Sequence, residues 1–171
     1  MRILLPLIGV LIAAAPAAPV ISYEPKVNFG HYRSYSWVFN HTPSGMNPNL
    51  YRQLRVAVDH SLEAHGFVKS QPGDFAVAFT IGPRTNTHSG DYGHYAPYYR
   101  GNNAAEHASW VNDALAQRST HENTLAIDIY DRETKHAIWH GLAPDPIKPG
   151  MRQAALEHEV NAVLSQFPPK R

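Results

Sequence analysis

The most constraining feature of the sequence is a stretch, residues 74–81, in which large apolar side chains alternate with small ones. The large residues are Phe75, Val77, Phe79 and Ile81, and the small residues between them are Ala76, Ala78 and Thr80. Because successive side chains of a strand point to opposite faces, the pattern predicts a strand whose large residues enter a hydrophobic core. The small residues indicate either close packing or partial exposure of the second face, and the sequence leaves both alternatives open.

Other segments carry the same alternation. The further predicted strands are residues 34–39, 124–130 and 136–143, with an additional short edge strand at 20–23. In the first of these, the rings of Tyr35, Trp37 and Phe39 recur at a period of two and are expected on one face. The strands on either side of the polar turn 131–135 are expected to form an antiparallel hairpin, because their connection is so short.

Two amphipathic segments predict helices. The first follows Asn47, a capping residue, and Pro48, which suits a first helical turn; it ends at Gly66. Its apolar stripe consists of Leu50, Leu54, Ala57, Val58, Ser61 and Leu62. The second helix is expected over residues 151–167, ahead of Pro168. Its inward residues are Leu156, Val160, Val163, Leu164 and Phe167.

These elements predict a single α+β domain over residues 18–171. Two helices would pack on one face of a mostly antiparallel sheet of four to five strands, which is a two-layer arrangement. The core is expected to contain Trp37, Phe79, Ile127, Trp139, Leu54 and Val160. A chain of 171 residues is long enough for one domain with a core and too short for two ordinary domains.

The first seventeen residues are predicted to be a signal peptide. Arg2 is a minimal positive region, and the apolar stretch 3–15 follows it. Ala15 and Ala17 are small residues at the positions that a signal peptidase reads, so cleavage is expected before Ala18. The alternative is an uncleaved membrane anchor, since the apolar run continues further along the chain, although its prolines disfavour a spanning helix.

Composition removes several classes of function. The chain has no cysteine, which excludes disulfides, zinc–thiolate sites, iron–sulfur clusters and cysteine nucleophiles. Its formal net charge of +1 becomes neutral when Arg2 is removed, and no basic run interrupts the sequence. A neutral chain has no general field that attracts nucleic acid or an anionic membrane, so neither is expected as a partner.

The periodicity is lost in a long insert, residues 83–121, that is rich in tyrosine, glycine and histidine. A short helix is predicted within it at 104–117, and loops as long as the remainder are usually functional or disordered. Its residues 85–103 concentrate Tyr92, Tyr95, Tyr98, Tyr99 and Arg100. Tyrosine and arginine are favoured where a protein meets a partner, so these five residues are the predicted binding site. Alternatively, the rings pack on the open sheet face or belong to a disordered loop.

Eleven histidines raise the question of a metal. Within the insert His88, Asp91 and His94 could converge on an ion with His107 as a fourth ligand, or they could simply be solvated polar residues. His136 and His140 are separated by about 13 Å along a strand, too far for one ion. No resident metal or cofactor is therefore expected.

The remaining acidic residues are interpreted as structural. Asp128 lies opposite the apolar face of its strand, and Asp131 begins a turn, where aspartate is common. On the first helix, Asp59 and Glu63 are expected to form a solvated face. No sequence pattern of a serine-hydrolase elbow, phosphate loop, zinc-protease helix or dinucleotide site is present.

Several short motifs occur together in one order along the mature chain. They are Phe29–Trp37, the helix end Ala57–Phe67, Asp74–Ala78, Thr124–Asp131, Thr134–Gly141 and the closing Phe167–Pro169. In this order and spacing the chain resembles the "domain of unknown function 4136" (DUF4136) family of bacterial envelope proteins. The resemblance implies an exported protein of a Gram-negative bacterium without an assigned activity. The family looks like a set of exported lipoproteins, whereas this chain lacks the lipid-accepting cysteine. The protein is therefore expected to be soluble in the periplasm or held in the membrane by an uncleaved N-terminus.

Two classes of function remain open on these grounds. The preferred hypothesis is a non-enzymatic binding or accessory domain that recognises a protein, glycan or lipid component of the envelope. The alternative is a metal-dependent or hydrolytic periplasmic enzyme that uses the histidines of the insert.

Overall fold

The computed structural model describes residues 17–42, 46–82 and 123–170. The strands and helices in chain order are β1 (Val20–Tyr23), β2 (Ser34–Trp37), α1 (Pro48–Ala64), β3 (Val68–Lys69), β4 (Phe75–Gly82), β5 (Thr124–Asp131), β6 (Ala137–Pro146) and α2 (Gln153–Leu164). A single 3₁₀ turn, Phe29–His31, precedes β2. Among these residues no helix is long and apolar enough to cross a membrane.

The described strands form one six-stranded sheet in the order β1-β6-β5-β4-β2-β3. The pairs β1–β6, β6–β5 and β5–β4 are antiparallel, whereas β2 is parallel to both β4 and β3. The predicted α+β class with two helices is confirmed. The prediction of a mostly antiparallel sheet with four to five strands is met only in part: three of the five neighbouring pairs are antiparallel, and the described sheet has six strands. β2 runs parallel to β3 and β4 because α1 returns the chain to its starting end before they begin.

The helix-facing side of the sheet holds the main hydrophobic core. All six residues expected in the core are buried there: Trp37, Phe79, Ile127, Trp139, Leu54 and Val160. Phe75 lies at the centre of an aromatic cluster, with ring centroids 5.2 Å from Phe67, 5.4 Å from Phe167 and 5.8 Å from Tyr32. Each ring of this size removes a large apolar area from water, so the cluster contributes strongly to the core.

The ends of α1 follow the sequence signals. The side chain of Asn47 accepts hydrogen bonds from the N–H groups of Asn49 and Leu50, and Pro48 occupies the first turn. At the other end Gly66 takes φ +87°, a left-handed conformation that glycine adopts without strain. The chain then folds back, and Phe67 enters the core. The predicted cap and terminator of this helix are confirmed.

The second face of the sheet is closely packed. Ala76, Ala78, Tyr130 and Ala137 form a separate buried cluster, against which Val38 and Phe39 pack. This resolves the choice that the small residues of β4 had left open. It also corrects the placement of Phe39, which was expected beside Tyr35 and Trp37. Regular β2 ends at Trp37, so the alternation does not extend to Phe39.

Candidate functional site

The described part of the chain contains a buried aspartate–histidine pair on the second face of the sheet. The register of the β5–β6 hairpin places Asp128 directly opposite His140. Asp128 Oδ1 lies 2.6 Å from His140 Nδ1, and the exposed fractions of the two side chains are 0% and 1%. With the carboxylate ionised, Nδ1 carries the proton and donates it, so the carboxylate fixes the orientation of the imidazole ring.

Small neighbours leave room for this pair. In the sheet register Ala78 of β4 lies opposite Asp128, and Ser22 of β1 lies opposite His140. Asp128 Oδ2 is buried without a hydrogen-bond partner among the described residues. A buried charged group is costly unless it is paired, so the 2.6 Å contact is what makes Asp128 tolerable in the middle of the sheet.

The geometry of the pair resembles the orienting half of a hydrolase triad, in which an aspartate holds a histidine. A catalytic base must also come within hydrogen-bonding distance of a proton on the substrate. Because neither side chain is more than 1% exposed, a substrate cannot reach the pair in this conformation. In this conformation the pair joins β5 to β6 through their side chains.

Asp59 of α1 is a second polar centre, and the expectation that it lies on a solvated helix face is wrong. Its Oδ1 accepts hydrogen bonds from Tyr35 Oη at 2.8 Å and Trp37 Nε1 at 2.9 Å. Its Oδ2 lies 2.7 Å from Lys69 Nζ. One carboxylate thus ties α1 to β2 and β3. Burial, together with the hydrogen bond to Asp59, raises the pKa of the Tyr35 hydroxyl well above its ordinary value.

Asp131 fixes the hairpin turn and also binds a distant segment. Its Oδ1 accepts from Thr134 N at 2.7 Å and Thr134 Oγ1 at 2.8 Å, and Oδ2 accepts from Tyr32 Oη at 2.8 Å. Burial opposes ionisation of this carboxyl, but the hydrogen bonds outweigh burial and lower its pKa. The structural role expected for Asp131 in the turn is confirmed.

Asp74, just before β4, plays a similar part at the start of β2. Its Oδ2 accepts the N–H groups of Arg33 at 2.8 Å and Ser34 at 2.9 Å. The hydrogen bond from Arg33 is the largest influence and lowers the pKa of Asp74, with burial opposing it and Ser34 adding to it. The carboxylate therefore pins β2 beside β4.

The predicted binding residues Tyr92, Tyr95, Tyr98, Tyr99 and Arg100 lie outside the described residues. The candidate metal ligands His88, Asp91, His94 and His107 lie outside them as well, as does the segment 1–16. Within the described ranges no group of three or more histidine, aspartate or glutamate residues could hold a metal ion.

Sequence reasoning recognised that Asp128 faces away from the apolar side of β5 but missed its partner. The connection 131–135 predicted a hairpin, yet its exact register depends on turn geometry and on an irregularity between Ile129 and Tyr130. Counted from the turn, Tyr130 pairs with Ala137, and the same register would place Asp128 opposite Trp139. The irregularity shifts Asp128 to His140, so the spacing in the sequence does not reveal the pair.

The described residues form a small α+β domain with a mixed sheet and two helices. Residues 19–169 match the sequence model of the family described as "Domain of unknown function (DUF4136)", and the chain belongs to that family. This confirms the family resemblance. No curated protein matches the sequence.

Two solved structures have a similar fold. One is a DUF4136 family protein from Bacteroides thetaiotaomicron, with 13% identity and a TM-score of 0.56, covering 91% of this chain and 97% of that one. The other is a PDZ domain protein from Parabacteroides distasonis, with 15% identity and a TM-score of 0.55, covering 91% of this chain. The present chain spans only 36% of that longer protein. At these identities the likeness concerns the fold alone.

Proposed function

We propose that this protein is an exported binding domain of the bacterial cell envelope and not an enzyme. The observation that supports this most is how the described carboxylates are used. Asp59, Asp74, Asp128 and Asp131 each hold separate segments of the fold together through hydrogen bonds. Side chains committed to the scaffold in this way are poorly suited to reacting with a substrate, so recognition is assigned to the insert 83–121.

The sheet supports this assignment of the insert. β4 and β5 are antiparallel neighbours, and Gly82 at the end of β4 lies opposite Thr124 at the start of β5. The chain between them therefore leaves and rejoins the sheet at a single end. An insertion at such a position can vary without disturbing the strands, and binding residues are often carried on loops that a rigid scaffold positions. Tyr92, Tyr95, Tyr98, Tyr99 and Arg100 are the proposed contacts with the envelope component.

Binding can be tested by replacing the four tyrosines with serine in the full-length mature protein. Affinity capture from an envelope extract of the source bacterium should lose its specific partner, while Tm should change little. Tyr23→Ser is the matched control, because Tyr23 is 44% exposed on β1 and lies outside the insert. Capture that survives the fourfold change, or is lost equally in the control, would count against the proposed site.

Export is a separate part of the proposal and rests on the Arg2–Ala17 segment. Fractionation followed by N-terminal sequencing should find the protein outside the cytoplasm, starting at Ala18. An intact Met1 in a cytosolic fraction would refute export and leave the binding test unaffected.

A hydrolytic enzyme is the second candidate, because the Asp128–His140 contact has the geometry that orients a catalytic histidine. Such an enzyme would act only in a conformation that exposes the pair, since both side chains are buried here. Turnover of ester or glycan substrates by purified protein, abolished in His140→Gln with the fold retained, would support the enzyme. Full activity in that variant would show that the pair is not catalytic.

A further inference from the structure

The contact between α2 and β6 contains a buried carboxyl group that the proposed function does not use. Glu159 of α2 is only 6% exposed. The backbone N–H of Asp145 on β6 lies close enough to favour the ionised form of this carboxyl. The oxygen Oε2 is buried and has no hydrogen-bond partner within the described ranges. An ionised carboxylate with one oxygen unsatisfied in this position is costly.

The charges around Glu159 add to this cost. Burial raises the pKa of the Glu159 carboxyl first, and the Asp145 carboxylate raises it further. The backbone N–H of Asp145 and the neighbouring His158 act in the opposite direction and are outweighed. From α1, the other element packed on α2, His60 lies 3.5 Å from Glu157, the next acidic residue on α2.

We propose that Glu159 is an acid-sensitive latch, in which uptake of one proton from solvent tightens the packing of α2 on β6. The protonated carboxyl removes a buried negative charge beside Asp145 and restores a neutral contact. The inference concerns the fold and does not depend on the proposed binding function.

The direction of the pH effect follows from linkage. The folded protein holds the Glu159 proton more strongly than the unfolded chain, whose glutamate titrates near 4.5. Stability from this group therefore rises as pH falls from above the raised pKa to about 4.5, and it is lost as pH rises. Titration of Asp74 and Asp131 changes stability at lower pH than this range, because their pKa values lie below 3.8.

The experiment compares Tm of the wild-type chain and Glu159→Gln between pH 7.5 and 4.5. Glutamine mimics the protonated side chain, so the variant should melt about 2–4 °C higher at pH 7.5. The difference in Tm between the two proteins should shrink toward zero as pH falls. Because the histidines are common to both proteins, their titration cancels in this difference. Glu157→Gln is the matched control on the same helix. The difference in Tm between this variant and the wild type should not shrink toward zero as pH falls. After correction for the intrinsic pH dependence of amide exchange, protection of α2 and β6 should rise in acid in the wild type only.

Two further measurements test the Glu159 carboxyl group and the charge beside it. Asp145→Asn should reduce the pH-dependent difference, because it removes the neighbouring charge. A carbon-13 titration of the wild-type Glu159 carboxyl should show a midpoint above 4.5. A normal midpoint, a Tm difference that is constant with pH, or a lower Tm for Glu159→Gln at pH 7.5 would overturn the latch. So would stabilisation of the wild type by Ca²⁺ or Mg²⁺ at pH 7.5 that Glu159→Gln abolishes, since the carboxylates would then be binding a metal.

Discussion

The two faces of the same sheet are built on different principles. On the helix side, rings such as Phe75 and Trp139 fill the space beneath α1 and α2, and stability comes from apolar area and close fit. On the other side, Ala76, Ala78 and Ala137 form a smaller buried cluster with Tyr130, and Asp128 makes a buried polar contact with His140. The comparison teaches that alternation can specify two buried faces, one through volume and the other through a directional hydrogen bond.

The largest effect is expected on the helix side, from Phe75→Ala. This change removes ring contacts with Tyr32, Tyr35, Phe67 and Phe167 and leaves a cavity. The free energy of unfolding should fall by about 3–5 kcal/mol in urea denaturation. Val56→Ala, at an exposed position of α1, is the control and should cost less than about 0.5 kcal/mol. A loss below about 1 kcal/mol for Phe75→Ala would show that volume does not dominate this face.

On the second face, Asp128→Asn should lower the free energy of unfolding by about 2–3 kcal/mol, because it weakens a buried hydrogen bond to a charged group. Glu133→Gln is a suitable control, since it removes an exposed carboxylate from the adjoining turn. Equal stability of the two variants would mean that the polar pair contributes nothing to this face.

Close fit on the helix side predicts a smaller effect for Gly141→Ala. A β-carbon at this position would collide with the Trp139 ring and Val163 Cγ1. Overpacking should cost about 1–3 kcal/mol, measured by the same denaturation. Val163→Ala in the same chain makes room for the β-carbon, so the double variant should lose less stability than the sum of the two single changes. A loss equal to that sum would argue against the steric explanation.

The smallest effect is expected at the junction of β2 and β4, from the pH dependence of Asp74. Because its pKa is lowered in the folded chain, its stabilisation is present above 3.8 and is lost as pH falls through the lowered pKa. Asp74→Asn should therefore make Tm less sensitive to acid below about pH 4. Near neutrality the dependence of Tm on pH should change little. The same fall of Tm with acid in both proteins would contradict this account.

Local patterns predicted most of the scaffold. Asn47 and Gly66 located the ends of α1, and alternation located β4 and the hairpin strands. These signals act over a few residues, so they can be read along the chain. β3 was missed because two residues are too few to show an alternation, and this omission led to the wrong strand count.

The polar contacts were harder to predict because they join distant residues. Asp59 looks like an ordinary charged helix residue until folding brings Tyr35, Trp37 and Lys69 to it. Asp128 and His140 become neighbours only once the hairpin register is set. Composition and spacing carry no direct record of such pairings, whereas the tyrosine-rich insert was recognisable from composition alone.

The central claim is that the Asp128–His140 pair stabilises the second face of the sheet. A double-mutant cycle with Asp128→Asn, His140→Gln and the combined variant tests it most directly, by urea denaturation at constant pH. The account predicts a favourable coupling free energy of about 1–3 kcal/mol, because His140 Nδ1 and Asp128 Oδ1 satisfy each other in a buried position. Additive effects of the two substitutions, with no coupling, would contradict it.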